Sequence, residues 1–170
     1  MRNILCFLFV LLVQTTSSFA HDIFEEVGKD SMQGIKEALK EGISINSIGP
    51  DGQTPLMHAV LRGRKNAVRF LLRKGADTTI GEKDGYTPLH GAGFQGRAEI
   101  AQMLIDHGLD PRGKHEDGHE PIERACWGSE KRHTETVGVF LKNHVPLPQS
   151  CLNSPNKATL DLIKKDNYEL

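Results

Sequence analysis

Eight histidines, three cysteines and one run of cations are the groups in this chain that have chemistry to offer. His115 and His119 stand four residues apart. On a helix that spacing puts two imidazoles on one face and suits zinc. Asp117-Gly118 lies between them, however, and Asp-Gly marks a turn tip. Nothing nearby completes a tetrahedral set, so the sequence predicts no metal ligand and no cofactor. It also holds no Gly-x-Ser-x-Gly elbow and no phosphate loop, and no Cys/His pair sits in a catalytic local context. No catalytic residue is expected, and the chain reads as a non-enzyme. The cationic run is Arg62, Arg64, Lys65, Arg69, Arg73 and Lys74, with no acid between. It could steer an acidic partner, but a solvated helix face explains it more simply. With 21 basic against 22 acidic side chains and a net charge of −1, nucleic acid is not an expected partner.

The N-terminus has the three parts of a secretory signal peptide. Arg2 gives a positive start, residues 4–13 are uninterruptedly apolar, and Ser18-Phe19-Ala20 fits a small-x-small cleavage site. Ten apolar residues are too few to span a bilayer, and no later run is longer. Residues 1–20 are therefore expected to be removed, leaving His21 first. The expected location is a secretory-pathway lumen, a periplasm or the medium, with no membrane span after cleavage. Cys6 leaves with the leader. Cys126 and Cys151 remain, and an even pair in an exported chain permits one disulfide.

The elements that position these residues follow a fixed step. Asp51-Gly52, Asp84-Gly85 and Asp117-Gly118 recur every 33 residues. Behind them lie Thr54-Pro55-Leu56-Met57-His58-Ala59, Thr87-Pro88-Leu89-His90-Gly91-Ala92 and Glu120-Pro121-Ile122-Glu123-Arg124-Ala125. Thr caps the orphan N–H groups of a helix, and Pro at its first position loses nothing. Leu56 with Ala59, and Leu89 with Ala92, then share one helical face. A short loop at Gly63 or Gly96 leads to a second helix burying Val68, Leu71 and Leu72, or Ile100, Leu104 and Ile105. Gly75 or Gly108 ends it. Each unit is thus turn, helix, loop, helix.

This resembles the ankyrin repeat, with its 33-residue unit and Thr-Pro-Leu-His-x-Ala core. The resemblance implies an all-α solenoid of stacked helix-turn-helix units with β-turn or hairpin tips. It covers residues 21–145: a partial cap at 21–48, then central units at about 49–81, 82–114 and 115–147. Residues 148–170 would form a Pro-containing loop and one capping helix over 159–165. The third unit is degenerate, with Glu120 for Thr and Glu123 for His. It is also three residues longer, and the extra residues around Ser129 and His133 are expected in a longer inter-helix loop. His144 replaces its capping glycine. Cys126 aligns with Val60 and Gly93 on the packed side of a first helix, where a free Cys would serve as a small hydrophobe.

Ankyrin repeats bind proteins through their turn tips and the exposed face of the first helix. Carried over position by position, the expected partner-binding residues are Gln53, Leu61, Arg62, Lys83, Tyr86, Phe94, Gln95, His107, Glu116, His119 and Trp127. Lys74 sits beside them at the end of a second helix. Leu61, Phe94 and Trp127 step by 33 and should form one column on the concave face. Exposed apolar patches mark interaction sites, and Trp and Tyr dominate interface hot spots. The partner's identity and the oligomeric state are not encoded in this pattern. A second reading is a metal- or redox-linked protective role for the turn histidines or the two cysteines.

Overall fold

The computed structural model describes residues 21–165, so the predicted leader lies outside the described residues. Four helix pairs follow in chain order. The first helix of each pair is α1 (Ile23–Gly28), α3 (Pro55–Leu61), α5 (Pro88–Phe94) and α7 (Pro121–Cys126). The second is α2 (Met32–Lys40), α4 (Lys65–Arg73), α6 (Ala98–Asp106) and α8 (Lys131–Lys142). A last helix, α9 (Lys157–Lys165), packs on α8. First helices pack on first helices along the chain, and second helices on second helices. The result is an all-helical, two-layer stack, with no strand among the described residues.

The core runs between the layers. Val27, Leu56, Val60, Leu89 and Ile122 from the first helices meet Ile35, Val68, Leu71, Ile100, Leu104, Val137 and Phe140 from the second, all buried. Each such side chain contributes about 1.5–3 kcal/mol by leaving water. Ala59, Ala92 and Ala125 are fully buried at the 33-residue step, and their small size lets successive first helices approach closely.

The tips are tight reverse turns. Gly49 N–H donates to Gln53 O at 2.9 Å, Glu82 N–H to Tyr86 O at 3.1 Å, and His115 N–H to His119 O at 3.0 Å. In the last two, the residue closing the turn is Gly85 (φ 82°) or Gly118 (φ 83°). That backbone region is strained for side chains and free for glycine. Thr54 then caps α3, its Oγ1 accepting from Met57 N–H at 3.2 Å. In the degenerate third unit Glu120 still starts a helix, because its N–H donates to the Glu123 carboxylate at 2.8 Å. That is a capping box built from acids.

The structure departs from the sequence expectation in three places. The extra residues of the third unit do not lengthen the inter-helix loop by three. They mostly become an added turn at the start of α8, which has 12 residues where α4 and α6 have 9. Glu130 begins that turn, and its N–H is 3.3 Å from His133 Nδ1. His133 then reaches Phe94 O at 3.1 Å, as Arg97 reaches Leu61 O at 3.2 Å one unit earlier. Register is therefore restored at His133. The Pro-containing loop also holds a 3-10 turn, Gln149–Asn153. The closing helix begins at Lys157, two residues before the expected start, with Asn156 Oδ1 accepting from Ala158 N–H at 3.0 Å.

Candidate functional site

Position 91 controls the shape of the first-helix face. The 33-residue step through it reads His58, Gly91, Arg124. The missing side chain leaves a cleft of about 190 Å³ lined by Leu61, Glu82, Tyr86, His90, Gly91, Phe94 and Arg124. A Cβ at Gly91 would sit 3.1 Å from Leu61 Cδ2 and 3.2 Å from Met57 Sδ. Phe94 is 62% exposed at the cleft edge. Trp127, 40% exposed, follows the last residue of α7.

Arg124 holds the far wall. Its guanidinium lies 4.7 Å from the ring centroids of both Tyr86 and Trp127, positions in which a cation is attracted to the ring faces. It donates to Tyr86 Oη at 3.2 Å and to the Asp117 carboxylate. Tyr86 O–H donates to the same carboxylate at 3.1 Å, and its ring stacks on His115 at 3.8 Å. His115 Nε2 lies 2.7 Å from Asp84 O, so this imidazole bridges the second and third tips. Desolvation works to raise the Asp117 pKa. Hydrogen bonds from His119 N–H, Arg124, His115 and Tyr86 outweigh it and hold the group well below the usual carboxylate range.

Other acids and histidines of this face have different settings. Burial pushes the Glu82 carboxyl up, and the neighbouring charges of Asp84 and Asp51 push the same way. His90 is buried, its Nδ1 2.8 Å from Thr87 Oγ1 and its Nε2 3.2 Å from His119 O. Burial lowers its pKa, more than the His119 hydrogen bond raises it. Glu123 is buried, which works to raise its pKa, but Ser150 Oγ at 2.5 Å, Glu120 N–H and His119 Nδ1 at 3.1 Å bring it below the usual value.

The structure brings some of the expected binding residues together and leaves others apart. Leu61, Tyr86 and Phe94 share the cleft. Trp127 stands outside its lining, edge-on to His119 at 4.8 Å and over Arg124. Gln53 is half-buried, its Oε1 3.2 Å from His58 Nδ1. Arg62, Lys83 and Glu116 are exposed, and Gln95 caps α5 half-buried. His107 is exposed at the C-terminal end of α6 and does not line the cleft. In the cationic run, Lys65 pairs with Glu99 at 2.6 Å, while Arg69, Arg73 and Lys74 are exposed on or just after α4 in the other layer.

Sequence reading passed over Glu82, Arg124, Asp117 and Glu123 as site-building residues. The 33-residue column through position 91 was the available signal for the cleft. Among the described residues no group of three or more His, Cys, Asp or Glu is arranged to hold a metal ion. Cys126 and Cys151 are fully buried and joined as a disulfide with Cα atoms 5.2 Å apart, away from the cleft.

Known proteins share this architecture. One stretch is 38% identical over 55 residues to an ankyrin repeat domain-containing protein, oryK, of Aspergillus oryzae, covering 32% of this chain and 9% of that one. Another is 44% identical over 45 residues to the protein lin-12 of Caenorhabditis elegans, covering 26% of this chain and 3% of that one. The chain thus spans less than a tenth of either relative. The family model for ankyrin repeats matches in three copies over residues 26–115, just over half of the sequence. Ankyrin repeats are protein-interaction modules, generally without a catalytic role. The match covers the first units of the same tip-helix-helix stack seen in the structure, and the chain belongs to the ankyrin-repeat family.

Proposed function

We propose that this chain is a non-enzymatic binding module of an exported protein, and that it grips a partner protein with the first-helix face of the stack. The observation that carries the reading is the apolar content of that face. Phe94 is 62% and Trp127 40% exposed, on either side of the Tyr86–Arg124 wall. Large side chains left in water at one place are the usual anchors of an interface. They sit at the C-terminal ends of helices locked by the core, so little ordering cost falls on binding.

Two features support export. Residues 1–20 have signal-peptide composition. The Cys126–Cys151 disulfide suits an oxidising compartment. Among the described residues no helix is long and apolar enough to cross a membrane. N-terminal sequencing of the protein from fractionated native cells tests export. A start at His21 in an exported fraction is expected, and a retained Met1 in the cytosol overturns it. A photo-crosslinking residue at position 94, compared with one at position 69 on α4, tests the binding face. One discrete partner captured from position 94 and not from 69 is expected. Equal capture from both sites counts against the face.

A further inference from the structure

The cleft beside Phe94 has a charge that the fold itself does not use. Glu82 lines it among Leu61, Tyr86 and Phe94, half-buried. Among the described residues no cation or hydrogen-bond donor holds its side chain; only its backbone N–H and C=O are engaged, within the tip. The Arg124 guanidinium across the cleft is already occupied by Asp117 and the Tyr86 hydroxyl. Asp84 in the same tip and Asp51 in the tip before it add negative potential at Glu82, and neither has an ion-pair partner among the described residues. A partly dehydrated carboxylate without a partner is costly in the free protein. A ligand that supplies a cation there relieves that cost and gains a charge-assisted hydrogen bond. The remaining walls are aliphatic and aromatic, which suits the stem of a long cationic side chain.

We propose that the cleft takes one arginine or lysine of the partner protein, its stem between Leu61 and Phe94 and its cationic head on the Glu82 carboxylate. This rests on the first-helix face being the docking face, and it names the partner chemistry at one point of that face. The partner segment is therefore basic at this position, flanked by apolar residues that cover Phe94.

The test uses two acetylated, amidated tripeptides, Leu-Arg-Leu and Leu-citrulline-Leu, titrated into the ¹⁵N-labelled protein. Citrulline keeps the length of arginine and three of its five N–H donors, with a carbonyl in place of one nitrogen and no charge. The arginine peptide is expected to shift the amide resonances of Leu61, Tyr86 and Phe94 and to bind about tenfold more tightly than the citrulline peptide. Glu82→Gln, nearly isosteric, is expected to remove that difference while leaving the rest of the spectrum in place. Equal binding of the two peptides by the unaltered protein overturns the proposal, as does an arginine preference that survives Glu82→Gln. In both cases the docking face stands, since the peptides still seat in the cleft. Cleft resonances that neither peptide moves also overturn it. The docking face itself fails only if crosslinking from position 94 fails as well.

Discussion

His90 shows how much one side chain carries in a repeat. Its Nδ1 meets Thr87 Oγ1 in its own unit and its Nε2 meets His119 O in the next tip, a pair of bonds that a neutral ring protonated at Nε2 satisfies. Burial lowers its pKa from the ordinary 6.5, and His58 is lowered too, by burial and by Arg62. The unfolded chain takes up these protons near pH 6.5 while the folded chain resists them. The stability they confer is whole above that pH and is lost as pH falls through 6.5 toward their folded values. Thermal melts should therefore show Tm falling between pH 7.5 and 5.5. His90→Gln should melt lower at pH 7.5 but with a shallower slope, and an unchanged slope would contradict this assignment. Gly93 makes a second residue-level case. A Cβ there would lie 2.3 Å from Pro121 O on the next first helix. Gly93→Ala should cost about 1–3 kcal/mol in urea unfolding by forcing α5 and α7 apart. Read along the chain, Gly93 is only a helix-weakening residue. The contact that demands it is 28 residues away, so no local pattern reveals it.

At the scale of elements, the helix pairs were legible because their signals are local. Asp-Gly tips, Thr-Pro starts and terminal glycines each act within a few residues. The third unit was harder to read, since its start is a pair of acids and its extra residues lengthen α8. Whether an insertion becomes loop or helix depends on where His133 finds Phe94 O, a contact between units. The C-terminal segment is likewise set by non-local bonds. Ser154 Oγ donates to Cys126 O at 2.6 Å, and the disulfide pins the 3-10 turn to α7. Sequence spacing allowed the bridge or a free buried thiol and had no means of choosing. The bridge closes 25 residues of chain. The double substitution Cys126→Ala, Cys151→Ala should therefore lower unfolding free energy by about 3.5 kcal/mol on the chain-entropy account. It should loosen α9 and the 3-10 turn first, as read by amide exchange. Equal loosening of α3 and α4 would argue against a local staple.

The whole molecule is a ladder of side chains that tie one unit to the next. Asp30 accepts from Ala67 N–H at 2.7 Å, Asn46 Oδ1 from Asp77 N–H at 2.9 Å, and His115 reaches Asp84 O at 2.7 Å. Because each tie spans about one repeat, the stack holds its first-helix face in a fixed shape. The sequence led to the expectation of one apolar column, Leu61, Phe94 and Trp127; the first two line the cleft and Trp127 stands outside its lining. The cleft left only an indirect trace, the His58, Gly91, Arg124 column, because it is made by an absent side chain at Gly91 and closed by Arg124 from the next unit. That face, rather than the cationic α4 surface, is where a partner should bind. The most direct measurement is calorimetric titration of the partner that crosslinks from position 94. Phe94→Ala with Trp127→Ala should weaken its binding at least about tenfold while leaving the fold intact, and Arg69→Ala with Arg73→Ala should leave affinity within about twofold. Unchanged affinity in the first pair, with a loss in the second, would contradict the account.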